Sequence, residues 1–276
     1  MIESPAAIFY APTSIDEAKG VTINRVIGGE RMAILDPIML LDHASISADS
    51  EVVGFPRHPH RGIETVSYVI SGEVGHKDSM GNESIVGPGG TQWMTAGNGI
   101  YHEEMMKPGP EGAEMLQLWF SLPRDQKRVP AGYMGGPSEE VPEVVKASAT
   151  VRIVAGSFEG TEGLFNGIAV NPTILDITVH SNSTIEIPTD HGWATFAYVV
   201  RGTVKTTGRS VSAPEQVVFG DGDYVSLTAG SQGARVFYVS AKPLNEPIVQ
   251  YRSFVMNSVD DIKETTDMIH AKTFGV

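Results

Sequence analysis

The fold is decided by a repeated stretch of β-type sequence, which runs Glu64-Thr65-Val66-Ser67-Tyr68-Val69-Ile70-Ser71-Gly72-Glu73-Val74. At an offset of 130 residues the chain carries Ala194-Thr195-Phe196-Ala197-Tyr198-Val199-Val200-Arg201-Gly202-Thr203-Val204. Both stretches are rich in β-branched and aromatic residues and contain a glycine near the end, which is typical of short strands joined by turns. Self-similarity of this kind predicts two copies of one β-fold in tandem.

The rest of the chain extends the all-β pattern. Short apolar runs recur between the 30 glycines and 17 prolines, and they include Leu116 to Phe120, Ile174 to Val179 and Val236 to Val239. This punctuation is typical of a sandwich or barrel of many short strands. A single short helix is predicted from Val259 to Ala271, because Ser258 and Asp261 have the spacing of an amino-terminal cap and a first-turn carboxylate.

A length of 276 residues is enough for two domains, each with its own core. The repeat places the first domain at 1–130 and the second at 131–276. The linker is predicted between Pro123 and Pro142, where proline, glycine and charge replace the apolar alternation. The segment after Pro247 is too apolar to remain in water, so we expect it to pack on the first domain.

Composition excludes several classes of function. There are 20 basic and 33 acidic residues, a net charge of −13, and no basic cluster, which disfavours direct binding to nucleic acid or to an anionic membrane. The absence of cysteine excludes disulfides, thiolate ligands and a cysteine nucleophile. No signal peptide or membrane span is recognised. A soluble, cytoplasmic protein is therefore expected.

The chemistry is indicated by two pairs of candidate ligands, His58-Pro59-His60 and His102-Glu103-Glu104. Residues i and i+2 of a strand point to the same face, so each pair can present two ligands to one cavity. Three imidazoles and one carboxylate suit zinc, copper, iron or nickel, and a site with open positions favours activation of a substrate or of dioxygen. A metalloenzyme is the leading hypothesis.

The second copy of the repeat has lost this set. At the same offset its corresponding positions are Pro188, Asp190, Gln232 and Ala234, and at an offset of 133 the last two become Arg235 and Phe237. One metal, in the amino-terminal domain, is therefore predicted.

The other residues with reactive or polar side chains are assigned structural roles, except that two roles stay open for Arg61. Five histidines have no partner at ligand spacing and are interpreted as hydrogen-bonded core or surface residues: His43, His76, His180, His191 and His270. Arg61 is assigned equally to a substrate anion or to an acidic partner within the protein. Trp93 and Trp119 are interpreted as core, although neighbouring positions on those strands could line a pocket above the metal.

Two longer motifs resemble the signatures of the pirin family. They are the stretches from His58 to Tyr68 and from Gln92 to Glu104, supported by Phe254-Val255-Met256-Asn257 late in the chain. The resemblance implies a bicupin, that is, two tandem cupin barrels of the jelly-roll type with one metal in the amino-terminal barrel. It places the family's ligands at His58, His60, His102 and Glu104. Glu64, a ligand position in other cupins, is kept as a supporting residue.

The same resemblance implies a function. It favours an Fe(II)-dependent dioxygenase of the quercetin 2,3-dioxygenase type, with a flavonol and dioxygen as substrates and Glu104 as a catalytic proton acceptor. Zinc, nickel, copper, manganese and cobalt remain alternatives for the metal. The rival hypothesis is an iron-dependent, redox-sensing regulator that binds a transcription factor or a metabolic enzyme. A third hypothesis gives the metal a purely stabilising role.

Overall fold

The computed structural model describes residues 1–15 and 20–275, and within them strands dominate. The strands are β1 (Ala6–Tyr10), β2 (Thr13–Ile15), β3 (Thr22–Ile27), β4 (Ile38–Ile46), β5 (Val53–His60), β6 (Ile63–Ser71), β7 (Glu73–Asp78), β8 (Glu83–Val86), β9 (Thr91–Thr95), β10 (Ile100–Lys107), β11 (Ala113–Ser121), β12 (Gly132–Gly136), β13 (Glu143–Val145), β14 (Ala149–Ala155), β15 (Ser157–Phe158), β16 (Thr161–Glu162), β17 (Thr173–Val179), β18 (Thr184–Pro188), β19 (Ala194–Thr206), β20 (Arg209–Ser212), β21 (Gln216–Phe219), β22 (Tyr224–Ala241), β23 (Val249–Tyr251) and β24 (Phe254–Met256). Short 3-10 turns occur at Gly29–Ile34, Arg124–Gln126 and Ser138–Glu140, and the α-helix α1 spans Val259–His270. The prediction of an all-β chain with a short carboxy-terminal helix is confirmed.

Among the described residues, no helix is long and apolar enough to cross a membrane.

The chain forms two compact units, and neither is continuous in sequence. The N-unit comprises Ser14–Gly28, Ile38–Glu139 and Leu244–Val276. The C-unit comprises Met1–Thr13, Gly29–Pro37 and Glu140–Pro243. This grouping departs from the predicted division into 1–130 and 131–276, since both termini and residues 29–37 group with the half that is distant in sequence. The linear boundaries therefore stay a prediction from the repeat.

The C-unit is built on one nine-stranded sheet. Its main path runs β1-β21-β19-β22-β17-β14-β13, with β18 paired to β22 and β20 paired to β19. The amino-terminal strand belongs here because Ala6 to Tyr10 pair with Phe219 to Gln216. Side chains from these strands form a continuous apolar core that includes Ile153, Leu175 and Tyr238.

The N-unit contains a seven-stranded sheet and a four-stranded sheet. The first runs β12-β9-β6-β11-β4-β3-β2 and the second runs β5-β10-β7-β8. Along β10 the burial alternates strictly, so that the even-numbered side chains from His102 to Met106 face inward. A smaller apolar cluster around Ile23, Val69 and Met115 closes part of this unit.

The linker prediction is wrong over part of its length. Gly132–Gly136 forms β12, which pairs with Thr91–Thr95 at the edge of the seven-stranded sheet. Glycine weakens a strand, and β12 lies at the edge of its sheet, where it pairs with one neighbouring strand instead of two. The position matters because β12 carries Tyr133.

The carboxy-terminal segment is an ordered part of the N-unit. Phe254, Val255 and Met256 are buried, and the Val255 amide donates to the carbonyl of Arg61 at 3.0 Å. Helix α1 begins where the Ser258 hydroxyl accepts the Asp261 amide, as the capping pattern predicts. The segment thereby reaches the turn that follows β5, where the first ligand pair is located.

Candidate metal centre

The candidate ligands come from two paired strands of the N-unit. His58 and His60 end β5, and His102 lies on β10 directly opposite His58. Strand β5 is the edge of its sheet, so Pro56 and Pro59 can occur within it without removing hydrogen bonds from a central ladder. The edge position explains how a histidine pair interrupted by proline remains a strand.

The three imidazoles converge on one point. The Nε2 atom of His58 lies 2.9 Å from that of His60 and 3.0 Å from that of His102. One nitrogen from each ring fits within 4.8 Å of the others. Nitrogens bound to one metal at about 2.1 Å lie about 3.0 Å apart at right angles and about 3.4 Å apart at the tetrahedral angle. The separations from His58 Nε2 are therefore compatible with imidazole nitrogens that would share one bound ion.

The surroundings of His60 and His102 favour the neutral form of the imidazole, which is the form that binds a cation. Burial, followed by the charge of His58, lowers the pKa of His60 well below its ordinary value of 6.5. Burial also lowers the pKa of His102 in the same direction, with the other histidines adding to the effect. His58 directs Nδ1 at the Pro56 carbonyl, 2.8 Å away, which leaves its Nε2 as the lone-pair atom of the neutral ring. The described residues therefore fit a bound divalent metal.

Glu104 is buried beside the histidines but is not one of the three converging groups. Its Oε1 accepts the Ser67 hydroxyl at 2.5 Å, and its Oε2 accepts the Gln117 amide. A carboxylate has about four acceptor positions, so each oxygen retains a lone pair beyond these two bonds. The predicted role of Glu104 as fourth ligand stays a prediction.

Two residues that the sequence analysis did not assign to the site lie behind His102. The Nδ1 atom of His76 is 3.5 Å from Nδ1 of His102, and its Nε2 atom is 3.2 Å from Asp78 Oδ2. Burial raises the pKa of Asp78, but hydrogen bonds from Asn82, His76 and Met80 outweigh burial and hold it below its usual value. His76 and Asp78 do have the i, i+2 spacing of the ligand pairs, so the interpretation of His76 as lacking a partner at that spacing is wrong. The spacing alone does not connect the pair to His102.

Arg61 turns away from the candidate ligands. Its guanidinium is fully buried and donates to Thr265 Oγ1 at 2.7 Å and to Asn98 Oδ1 at 2.8 Å, with Glu264 at 3.8 Å. Of the two interpretations given by the sequence, these contacts favour the partner within the protein. The next residue, Gly62, has a φ of +74°, and a Cβ there would lie 2.1 Å from the Val255 carbonyl oxygen.

Three of the remaining histidines have local partners away from the cluster. His43 bonds to Glu114 at 2.6 Å, and His180 bonds to the Ala147 carbonyl. His191 lies between Asp221 and Asp223, with a hydrogen bond to each. Glu64 accepts the Thr95 hydroxyl at 2.9 Å. These contacts agree with the structural roles predicted for them.

A cavity of about 540 Å³ borders the cluster on the side of His58. Its lining includes the aromatic rings of Tyr101, Tyr251 and Phe254, all from the N-unit. Within the cluster, Trp119 meets His60 edge-on at 4.9 Å between ring centroids. Its buried indole nitrogen has no hydrogen-bond partner among the described protein atoms. Aromatic walls and a free donor thus adjoin the three imidazoles.

Known proteins share both halves of this architecture. The family model described as Pirin matches residues 20–120, and the model described as the Pirin C-terminal cupin domain matches residues 174–275. A Pseudomonas aeruginosa protein provisionally named a quercetin 2,3-dioxygenase is 35% identical over 257 residues, covering 90% of each chain. Pirin from Rattus norvegicus is 35% identical over 255 residues, covering 90% of this chain and 86% of its own. The bicupin prediction is confirmed by a solved quercetin 2,3-dioxygenase from Acinetobacter baumannii, with a TM-score of 0.91, 28% identity and 99% of each chain covered.

Proposed function

The chain belongs to the pirin family, and from this premise we propose that it is a metal-dependent dioxygenase that opens the ring of a flavonol-like substrate. The observation that carries the proposal is the convergence of three buried or half-buried imidazoles, whose ligand atoms lie within 4.8 Å of one another and of which two lie within 3.0 Å of His58 Nε2. The names of the Pseudomonas and Acinetobacter relatives add support for the reaction. The proposed location is the cytoplasm.

His58, His60 and His102 would hold the metal, and Glu104 would complete the set. Fe(II) is the proposed ion, because a nitrogen and oxygen donor set with open positions suits iron that works with dioxygen. When bound, the ion supplies a Lewis acid that lowers the pKa of a substrate hydroxyl and a common point for substrate and dioxygen. Ser67 and Gln117 hold the carboxylate of Glu104 in one orientation.

The surrounding residues favour a flat, oxygen-bearing aromatic substrate. The cavity beside His58 has a volume within the usual range of small-molecule sites, which is about 300 to 1,000 Å³, and it offers three aromatic rings for stacking. The Trp119 indole N–H has no hydrogen-bond partner among the described protein atoms and would be the donor to a substrate oxygen that reaches it. Glu104 retains acceptor capacity for the proton of a substrate hydroxyl.

The proposal is tested by dioxygen uptake with quercetin after anaerobic loading with Fe(II). The parent protein should bind one metal and consume dioxygen, whereas His102→Ala should lose both. His180→Ala is the matched control, since it removes a C-unit imidazole whose partner in the described structure is the Ala147 carbonyl. Turnover by a metal-free His102→Ala protein would contradict the proposal.

Glu104→Gln separates holding the metal from moving a proton. The amide preserves the size of the side chain but removes its charge and most of its basicity, so we expect weakened metal binding and a larger loss of turnover. If the parent binds one Fe(II) but consumes no dioxygen above the His102→Ala background, the dioxygenase proposal fails. The redox-sensing regulator would then be favoured, and capture of a protein partner should depend on the iron oxidation state.

A further inference from the structure

A histidine and an aspartate stand directly behind His102 on the neighbouring strand. In the pairing of β10 with β7, His102 lies opposite Asp78 and Glu104 lies opposite His76. His76 and Asp78 are both buried, at 3% and 6% exposure. The order of contacts is His102 Nδ1 to His76 Nδ1 at 3.5 Å, then His76 Nε2 to Asp78 Oδ2 at 3.2 Å.

The donors around Asp78 determine where the ring protons lie. Its Oδ1 accepts the amides of Met80 and Asn82 at 2.9 and 3.0 Å, and its Oδ2 accepts Asn82 Nδ2 at 2.8 Å. Asp78 is therefore the acceptor, and His76 must donate to it from Nε2. The Nδ1 of a neutral His76 is then a lone pair, which can accept only if His102 carries its proton on Nδ1.

This chain of contacts leaves the Nε2 lone pair of His102 facing His58 and His60. We infer that His76 and Asp78 are positioning residues, which hold His102 in the tautomer and orientation that can bind the metal. The inference rests on the metal site of the proposed function. Supporting groups of this kind fix the ring of a ligating histidine in other metal sites.

The plane of the His76 ring is fixed independently. Tyr133 stacks on it at 4.1 Å between centroids and an interplanar angle of 14°, and the Tyr133 hydroxyl bonds to Ser84. The His76 ring is thus held between an aromatic face and a carboxylate. This explains why the edge strand β12 lies so close to the site.

The repeat supplies a second, independent argument. At the offset of 130 the positions of His76 and Asp78 are taken by Thr206 and Gly208, neither of which can form this relay. The pair is therefore absent from the same copy that lacks the four candidate ligands.

The test measures zinc affinity by competition with a chelator in three variants. His76→Phe retains a ring for Tyr133 but removes the acceptor, whereas His76→Asn places an amide oxygen near the former Nδ1 position. Asp78→Asn presents a donor to His76 and reverses the preferred tautomers. We expect His76→Phe and Asp78→Asn to weaken zinc binding by about 10- to 100-fold. His76→Asn should recover most of the parent affinity.

A second measurement reads the tautomer directly in metal-free protein, from two-bond proton–nitrogen spectra of the histidine rings. In the parent protein His102 should carry its proton on Nδ1, and in Asp78→Asn on Nε2. Thermal unfolding of each metal-free variant checks that it folds. If His76→Phe does not fold, the results for His76→Asn and Asp78→Asn decide the outcome. Parent-like affinity together with an unchanged His102 tautomer in Asp78→Asn would overturn the inference.

The His102→Ala protein separates this inference from the one on which it rests. If that variant still binds one zinc ion, the proposed metal site is wrong and the positioning role fails with it. If His102→Ala loses zinc while His76→Phe and Asp78→Asn bind like the parent, the metal site stands and only the positioning role is overturned.

Discussion

One row of side chains crosses five strands in each unit, and the two rows have opposite chemistry. In the N-unit, residues paired directly across neighbouring strands are polar or charged, namely Gln92, Ser67, Gln117, Asp42 and Arg25. In the C-unit the corresponding positions are apolar or aromatic and belong to its buried core, namely Val217, Ala197, Tyr238, Leu175 and Ile153. Ser67 and Ala197 anchor the correspondence, because they occupy the same position of the 130-residue repeat.

The comparison distinguishes the side chains that the barrel needs for its fold from those that the candidate site needs. The same strand register accepts either row, so the register alone does not specify a metal centre. Polar groups in an interior are costly unless each has a partner. In the N-unit Ser67 and Gln117 find that partner in Glu104, and Asp42 forms a two-bond pair with Arg25 at 2.9 and 2.8 Å. Each of these four polar side chains is therefore compensated by a hydrogen-bond partner.

The largest expected effect comes from placing one member of the polar row in the apolar one. Leu175→Asp puts a carboxylate where Asp42 stands in the N-unit, but opposite Ile153 instead of an arginine. An unpaired buried charge costs about 3 to 5 kcal/mol of unfolding free energy, measurable by urea denaturation followed by circular dichroism. Adding Ile153→Arg should recover part of the loss. A stability equal to that of the parent would show that the C-unit core does not exclude charge.

The second prediction concerns metal, which should stabilise the N-unit alone. At a zinc concentration of about 100 times Kd, binding to the folded state adds about 2.7 kcal/mol. Hydrogen exchange should slow in β5, β7 and β10 and remain unchanged in β19 and β22. His102→Ala should lose the gain. Equal protection of both units by zinc would contradict a single site.

A smaller effect is expected from exchanging the central residue of each row. Ser67→Ala removes the hydroxyl that donates to Glu104, and Ala197→Ser adds a hydroxyl to a closed apolar core. Each change should cost about 1 to 3 kcal/mol, but only Ser67→Ala should also weaken metal binding. Urea denaturation and zinc competition, measured on both proteins, distinguish the two effects. Weaker zinc binding by Ala197→Ser would contradict the claim that only the N-unit row affects metal binding.

The grouping of His58, His60 and His102 could be predicted because its signal is local. Alternation along one strand places His58 with His60, and His102 with Glu104, on one face, and no knowledge of strand order is needed. The repeat then restricts the site to one copy. The roles of His76 and Asp78 could not be ranked in the same way, since their partner lies on β10, more than 20 residues away in sequence, and is identified only by the pairing of β7 with β10.

Two further features could not be predicted from the sequence. They are the discontinuous segments that make up each unit and the edge strand β12. Ala6 to Tyr10 resemble any short apolar strand, and their pairing with β21 spans more than 200 residues. The glycines of β12 weaken its strand propensity, and its pairing with β9 overrides that preference. Arg61 was divided between two roles because the sequence does not show helix α1 packing over the turn that carries it.

The buried histidines His60 and His102 of the N-unit and the histidine His191 of the C-unit should contribute to the pH dependence of stability with opposite signs. Burial holds the folded-state pKa of His60 and His102 below 6.5, so the unfolded chain binds more protons as pH falls. In metal-free protein their contribution is therefore present above pH 6.5 and is lost progressively below it. Urea denaturation of the parent at several pH values, beside His60→Phe, measures this. Rising stability of the parent below pH 6.5, relative to the variant, would contradict the lowered pKa.

The smallest effect is expected at His191 of the C-unit. Its hydrogen bond to Asp221, followed by that to Asp223, raises its pKa above 6.5. The contribution is then present below pH 6.5 and is lost as pH rises through the raised pKa, the reverse of the N-unit. Full exposure and salt screening keep it small. Proton NMR titration of His191 should give a midpoint above pH 6.5. The midpoint should fall with added salt or with Asp221→Asn. A midpoint at or below pH 6.5 in low salt would contradict the opposite sign expected for His191.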